Sequence, residues 1–387
     1  MSTPSVHDAD ADTHLAHLLH NGAVLLPLFA AARWPLAAAR VCQAWRHWFA
    51  RGVAQAPLSE RKRTRWLDSE AELAAARAEA HLLAPRVRGF VPDNVEGVHT
   101  LDVSHCENVS DVSRLGGVHT LSLSMCRNVR DVSALGRVHT LDLSGCDNVR
   151  DVSALGGVHT LNLSECENVR DVSALGGVHT LDLTGCALVS DVSALGGVHT
   201  LDLYDCENVN DVSALGGVHT LNLGRCFNVR DVSALGRVHT LDLSWCDVSD
   251  VSALGDVHTL DLSCCEDVSD VSALAGVHTL YLGGCDVSDV SALGGVHTLD
   301  LSYCENVSDV SALGGVHTLN LYGCANVSDV SALGGVHTLD MSYCANVSDV
   351  SALAGVHTLN LNGYVGVTDI PTLNEHRRRN GLAPAAL

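Results

Sequence analysis

The stretch VHTLDLSGCDNVRDVSALGG, residues 138–157, decides the fold, because close copies of it fill most of the chain. The three letters VHT begin fourteen such units, at a period of 20 residues that shortens to 19 after Cys246 and after Cys285. Repeats of this length cannot bury an apolar side alone and do so only by stacking on their neighbours. The repetition therefore predicts a solenoid rather than one large globular core.

Within each unit the polarity alternates over a short run, as it does in Thr140-Leu141-Asp142-Leu143-Ser144. Alternation with period two is typical of a strand that is buried on one face. We expect the two leucines to point inward, and the threonine, aspartate and serine to point outward from a parallel sheet. The other inward positions of this unit are Val138, Cys146, Val149, Val152 and Leu155.

The spacing Val138-x-x-Leu141-x-Leu143-x-x-Cys146 resembles the leucine-rich-repeat signature L-x-x-L-x-L-x-x-N/C. The remainder, DVSALGG, is similar to the short repeats of bacterial internalins, and the resemblance covers about three quarters of the chain. It implies an α/β repeat fold, a solenoid with a parallel β-sheet on the concave side and 3-10 or turn segments on the convex side. A small α-helical N-terminal module would precede it.

A cysteine column recurs once per unit in thirteen of the units, at the place of Cys146. His99 and Cys106 lie seven residues apart in extended chain, roughly 23 Å, so they cannot share an ion. Stacked histidines of neighbouring coils could bind a metal in pairs, but nothing supplies the other ligands. We therefore expect a structural cysteine ladder, with no metal and no cofactor.

An aspartate column runs from Asp111 to Asp369, with one copy in every unit. We expect each carboxylate to accept a backbone N–H at the start of the SAL turn, as an N-cap does. General acid or base catalysis is the alternative interpretation. Identical copies in every coil argue against it, because a catalytic pair occupies one place with distinct environments.

Charge and composition restrict the partners and the compartment. Residues 98–387 hold 12 of the 23 basic and 35 of the 45 acidic residues, and such a surface repels nucleic acid and favours a basic protein. The acidic start is not a signal peptide, and the apolar run 24–39 is short for a membrane span. With reduced cysteines, the sequence predicts a cytoplasmic or nuclear protein that is neither secreted nor membrane-bound.

The chain before the repeats has a different amino-acid composition, rich in Ala, Arg and Trp. Residues 36–49 place apolar side chains on one helical face, and 69–83 begin with a capping box and continue as a second helix. The expected organisation is a disordered acidic tail, a helical module that caps the first coil, the solenoid, and a C-terminal cap with tail. Their ranges are 1–20, 21–95, 96–363 and 364–387.

The run LPLF at 26–29, then WPL at 34–36 and RVCQAWR at 40–46, resembles an F-box. This resemblance implies docking of the Skp adaptor of cullin–RING ubiquitin ligases. The alternative is a plain helical cap. The residues that would contact the adaptor are Leu26, Pro27, Leu28, Phe29, Leu36, Val41 and Trp45.

The two resemblances together imply the substrate-receptor subunit of an F-box-type ubiquitin ligase, which catalyses nothing itself. The alternative is a non-enzymatic scaffold or adhesive protein without a ubiquitin link. Because rigid aromatics dominate many interfaces, we expect the partner protein to bind at outward or rim aromatics flanked by carboxylates. These aromatics are Tyr204, Trp245, Tyr281, Tyr303, Tyr322 and Tyr343, and the carboxylates are Asp242, Asp261, Asp300 and Asp340.

Overall fold

The computed structural model describes residue 95 and residues 98–363 and 370–386. The F-box-like segment at 24–49 and both predicted N-terminal helices lie outside these residues. The predicted adaptor contacts therefore stay sequence predictions.

Fourteen three-residue strands form one parallel sheet whose order follows the chain. Each strand pairs with the next in strict register, so that Thr140 lies opposite Thr160 and Leu141 opposite Leu161. The predicted leucine-rich-repeat solenoid is thereby confirmed. The strands β1 to β14 are Thr100–Asp102, Thr120–Ser122, Thr140–Asp142, Thr160–Asn162, Thr180–Asp182, Thr200–Asp202, Thr220–Asn222, Thr240–Asp242, Thr259–Asp261, Thr279–Tyr281, Thr298–Asp300, Thr318–Asn320, Thr338–Asp340 and Thr358–Asn360.

Short 3-10 helices return the chain on the other side of each coil. Before each of them an aspartate accepts the N–H of the serine two residues on, as Asp151 Oδ1 does from Ser153 at 3.0 Å. The predicted N–H acceptor role is thus confirmed, although the aspartate lies one residue before the N-cap, Val152. The 3-10 helices are Ser133–Leu135, Ser153–Gly157, Ser173–Gly177, Ser193–Gly197, Ser213–Gly217, Ser233–Leu235, Ser252–Leu254, Ser272–Gly276, Ser291–Gly295, Ser311–Gly315, Ser331–Gly335 and Ser351–Gly355.

The core is a stack of identical layers. The predicted inward residues of the 138–157 unit, from Val138 to Leu155, are each at most 1% exposed. Every cysteine of the column is buried, and from Cys126 onward the thiol donates to a backbone carbonyl of the coil before, as Cys146 Sγ does to Leu123 O at 3.2 Å. The cysteine ladder is therefore part of the core.

Glycine after the SAL turn lets the coils approach. A Cβ at Gly156 would lie 2.2 Å from the carbonyl oxygen of Ala174 in the next coil, far inside van der Waals contact. A side chain at residue 156 would therefore require the neighbouring 3-10 helix to shift. Glycine is the usual residue at this position, and alanine stands there in two coils, as Ala275 and Ala354.

The C-terminal end of the stack is closed by helix α1 (Ile370–Arg379) and the segment after it. Ala386 takes the place of a further strand, since its N–H donates to Leu359 O and its carbonyl accepts from Leu361 N–H. Arg377 is 1% exposed and its guanidinium donates to Val356 O and His357 O. These contacts satisfy backbone groups that a following coil would otherwise have paired.

Within the parts of the chain that the structure describes, no helix has both the length and the apolar character required to cross a bilayer.

Candidate functional site

The outward face of the sheet carries three side-chain columns: threonine, then aspartate or asparagine, then mostly serine. In the last four coils the second column alternates between carboxylate and amide. Asn320 Nδ2 donates to Asp300 Oδ2, and Asn360 Nδ2 to Asp340 Oδ2, each at 2.8 Å. Amide donors placed between carboxylates reduce the mutual repulsion of these carboxylates along the sheet.

The residue before each column cysteine lies in a left-handed turn. Five of these positions are glycine, from Gly145 to Gly363, whereas nine carry side chains with φ between 58° and 63°. L-residues pay roughly 1–2 kcal/mol for this conformation, which glycine adopts freely. Large side chains therefore occupy these turns despite an unfavourable backbone free energy. The sequence identifies this column as variable, but it does not reveal the left-handed conformation or its cost.

Three tyrosines meet at the outer edge of coils eleven to thirteen. The ring of Tyr322 lies 5.1 Å from that of Tyr303 and 5.2 Å from that of Tyr343, in edge and tilted arrangements. The two flanking residues are 59% and 55% exposed, and both occupy left-handed turns. We call Tyr303, Tyr322 and Tyr343 the tyrosine patch.

The patch stabilises the fold poorly. Both flanking tyrosines occupy turns that glycine would fill without strain. Ser342, one coil beyond Tyr322 in the serine column, is 1% exposed and its hydroxyl has no hydrogen-bond partner. A buried hydroxyl without a partner costs about 1–3 kcal/mol. Backbone strain and an unpaired polar group at one place are typical of functional sites.

The structure does not bring the other three predicted aromatics to this patch. Tyr204 lies with Arg225, which also forms an ion pair of 3.2 Å with Asp205. Trp245 is 54% exposed and precedes Tyr303 by three coils in the left-handed column. Tyr281 ends β10, paired with Asp261 and Asp300, and has no ring contact among the described residues. Only Tyr303, Tyr322 and Tyr343 therefore form one surface.

A second surface feature is the histidine column that begins the strands. All fourteen rings, from His99 to His357, stack in one series with centroids 4.4–4.7 Å apart and planes within 17° of parallel. Each ring is exposed, and its Nδ1 lies 3.2–3.3 Å from the hydroxyl of the following threonine. The VHT repeat contained this signal: the sequence suggests stacked histidines in neighbouring coils, and the structure shows that the stack continues from His99 to His357.

The core thiols are poorly suited to nucleophilic chemistry. Burial raises the pKa of Cys166 and of Cys186 to about 12, so neither forms an appreciable amount of thiolate at neutral pH. Within the described ranges no three or more His, Cys, Asp or Glu side chains come together as metal ligands. The arrangement offers an extended acidic face with one aromatic patch, which is suited to binding.

Comparison with known proteins agrees with this geometry. The family described as "Leucine Rich repeat" matches residues 238–254. An internalin from Listeria monocytogenes is 19% identical with a TM-score of 0.51, over 76% of this chain and 88% of that one. A search of curated protein sequences gave no significant match.

Two further solved structures are less similar. The functional domain of another Listeria monocytogenes protein, InlJ, "includes a cysteine ladder"; it is 17% identical, with a TM-score of 0.37 over 67% of this chain and 73% of that one. The ectodomain of the Arabidopsis thaliana receptor kinase GASSHO1/SCHENGEN3, in complex with CASPARIAN STRIP INTEGRITY FACTOR 2, is 16% identical. Its TM-score is 0.40, over 72% of this chain and 49% of that one. On the strand order, the repeat signature and the internalin likeness, residues 98–363 have the leucine-rich-repeat fold.

Proposed function

We propose that this protein is a binding scaffold rather than an enzyme, and that the tyrosine patch is the centre of its partner site. The observation that carries the proposal is the placement of Tyr303 and Tyr343, two largely exposed aromatic residues, in turns where glycine would be less strained. Amphipathic aromatic rings with few rotatable bonds are common anchors of protein interfaces.

The charge beside the patch favours a basic partner. Asp300 and Asp340 lie on the strands of coils eleven and thirteen, each three residues before the patch tyrosine of its own coil. Residues 98–387 carry 35 acidic against 12 basic residues, so the wider field has the same sign. We expect association with a basic segment to be fast at low salt and slower as ionic strength rises.

Replacing Tyr303 and Tyr343 by glycine tests this site with little risk to the fold, because glycine occupies the same turn in five other coils. Proteins co-purified with the full chain would be compared between wild type and the Y303G/Y343G variant by quantitative mass spectrometry. A partner of the patch should be recovered at least about tenfold less with the variant, which corresponds to roughly 1.4 kcal/mol.

The matched control makes the same change in the early coils, at Met125 and Glu165, which also have positive φ. Recovery with M125G/E165G should equal that of the wild type, while both variants keep or exceed the wild-type melting temperature. Equal recovery of every co-purified protein with Y303G/Y343G and with wild type would exclude the patch as the binding site.

We further propose that the scaffold is the substrate receptor of an F-box-type ubiquitin ligase. This finer proposal is supported by the sequence of residues 24–49 alone, where LPLF and VCQAW resemble an F-box. In that arrangement the N-terminal segment would dock the Skp adaptor and the cullin complex, and the repeats would hold the target. A scaffold whose N-terminal helices serve only as a cap is the second candidate.

Deleting residues 21–50 separates these two candidates. Loss of binding to purified Skp adaptor with unchanged far-ultraviolet circular dichroism of the repeats would support the ligase receptor. Full-length protein that does not bind the adaptor, or a deletion variant that still binds it, would contradict the assignment to these residues. Loss of folded structure on deletion would instead favour the cap, and the tyrosine-patch experiment is unaffected by either result.

A further inference from the structure

Two columns of titratable side chains run along the stack with one member per coil. The first is the histidine column, whose exposed imidazoles are held in a single stacked series 4.4–4.7 Å apart. The second is the aspartate column of the 3-10 turns, also exposed, in which each carboxylate is fixed by the N–H of the serine two residues on. Both are rigid, and both repeat with the coils.

The aspartate column of the 3-10 turns has the fewest adjacent basic residues in the later half of the stack. Arginine immediately precedes four members of the early half, as Arg130 precedes Asp131. From coil eight to coil thirteen the preceding residue is always serine, so six successive carboxylates have no basic residue directly before them. These are Asp250, Asp270, Asp289, Asp309, Asp329 and Asp349.

We propose that the histidine column of one molecule docks on the aspartate column of a second molecule in weakly acidic solution. The occupant is a second copy of this chain because only another such solenoid is known, from the structure itself, to present charges at the matching coil period. In register, one imidazolium meets about one carboxylate per coil, so many individually weak ion pairs act together.

The pH range follows from the surroundings of each column. Partial desolvation, then the charges of neighbouring rings, lower the pKa of His278 and of His317, so these two rings gain protons as the pH falls below 6.5. Hydrogen bonds from Ser252 lower the pKa of Asp250, and its equivalents behave alike, so the carboxylates stay charged through this range. Opposite charges therefore coexist between about pH 4 and pH 6.

Few other charges face the histidine column. Only the neighbouring coils and the C-terminal cap pack against it among the described residues, and the threonine after each ring is neutral. Arg137, Arg237 and Asp256 each lie two residues before a ring, and Arg377 bonds to the carbonyl of His357. An aspartate of the outward sheet face lies three residues beyond eight of the fourteen rings. Protonation thus makes the histidine column positively charged over most of its length.

Because the two docked columns are different surfaces, a pair of molecules does not form a closed dimer. A docked pair still has one undocked histidine column, on one molecule, and one undocked aspartate column, on the other, so association adds further copies rather than stopping at a dimer. Because the ion pairs between the two columns are exposed to solvent, added salt should dissociate the assembly.

Sedimentation velocity of the full chain at low salt tests the proposal. From pH 7.5 to pH 5.5 the weight-average sedimentation coefficient should rise at least about twofold, increase with protein concentration, and fall back in about 0.5 M NaCl. The variant H258Q/H278Q/H297Q/H317Q/H337Q should stay monomeric at both pH values. Association by that variant at the wild-type level would overturn the proposal.

Loss of net charge near the isoelectric point of 5.3 is the competing cause of association, and a matched pair of variants separates it. The column variant is D250N/D270N/D289N/D309N/D329N/D349N, in which asparagine keeps an oxygen for the serine N–H. The control is D182N/D202N/D242N/D261N/D300N/D340N on the concave face, where asparagine already occurs in other coils. Both lose six negative charges. We expect only the column variant to stay monomeric at pH 5.5; equal behaviour of the two would mean isoelectric association.

Discussion

Thirteen of the fourteen coils place one cysteine directly after the left-handed turn, and the cysteine serves there as a small apolar residue with a weak donor. Cys186 is fully buried and its thiol donates to Leu163 O at 3.1 Å. Burial raises its pKa to about 12 because a thiolate in the core would lack a compensating charge. Cys264 differs, since it occupies the turn itself and is only partly buried.

Alkylation of the native protein should discriminate these thiols. Treated with iodoacetamide at pH 8 and mapped by peptide mass spectrometry, Cys264 should react on the order of a hundredfold faster than Cys186, which must await local opening of its coil. Both should react together in urea. Comparable native rates at the two residues would show that the cysteine column is accessible.

The C-terminal cap shows how one element ends a stack that could otherwise continue. His357 O would accept N–H groups from a following coil, as His337 O accepts that of Thr358. The buried guanidinium of Arg377 takes that role, with Nη2 at 3.2 Å from His357 O and Nε at 2.8 Å from Ala383 O. Desolvation lowers the pKa of this guanidinium, yet its carbonyl partners keep the burial tolerable.

Replacing Arg377 with methionine keeps much of the buried stem and removes these donors. The variant should destabilise the last two coils by about 2 kcal/mol, because carbonyls remain buried without partners. Hydrogen exchange at the amides of residues 356–361 should then be faster, while exchange in coils four to eight stays unchanged. The control is R378M, whose guanidinium is exposed and pairs only with Glu375 at 2.6 Å. Equal exchange in the two variants would show that Arg377 does not secure the cap.

At the scale of the whole molecule, the stacked histidines link stability to pH. Partial desolvation, followed by the charges of adjacent rings, lowers the pKa of His119 and of His159 below 6.5. The unfolded chain then binds more protons than the folded one below that pH. The contribution is therefore fully present above pH 6.5 and is lost as the pH falls. The aspartates of the 3-10 turns, such as Asp131 and Asp151, have a pKa lowered from 3.8 by hydrogen bonds from the following serine, so their contribution is lost only in more acidic solution.

The urea concentration at the unfolding midpoint should accordingly be lower at pH 5.5 than at pH 7.5. Both values are measured at protein concentrations where sedimentation shows monomer. The variant H258Q/H278Q/H297Q/H317Q/H337Q should show a smaller fall, because it lacks His278 and His317, whose pKa is lowered in the folded protein by desolvation and then by the charges of neighbouring rings. The exposed His376 lies on helix α1 outside the column, so H376Q should retain the wild-type dependence. A pH dependence unchanged by the fivefold substitution would assign it to other groups.

The sequence by itself determined the repeat, the strand positions, the inward residues and the hydrogen-bonding role of the aspartates. All of these follow from local rules: alternation of polarity fixes which side of a strand is buried, and the carboxylate reaches an N–H two residues away. The F-box-like segment at 24–49 remains a sequence prediction, as does the link to ubiquitin that rests on it.

Only the tertiary structure decided which outward side chains become neighbours. Tyr303, Tyr322 and Tyr343 are 19 and 21 residues apart in sequence, and they meet because parallel register brings the serine column of one coil beside the left-handed turns of the two neighbouring coils. Tyr281 replaces the usual aspartate of its column, and it lies on the strand, away from these turns. The left-handed φ before each cysteine and the stacking of the histidines likewise depend on how successive coils hydrogen-bond. Contacts between coils arise only when the coils stack, so the residues of one sequence column do not by themselves specify the geometry of these contacts.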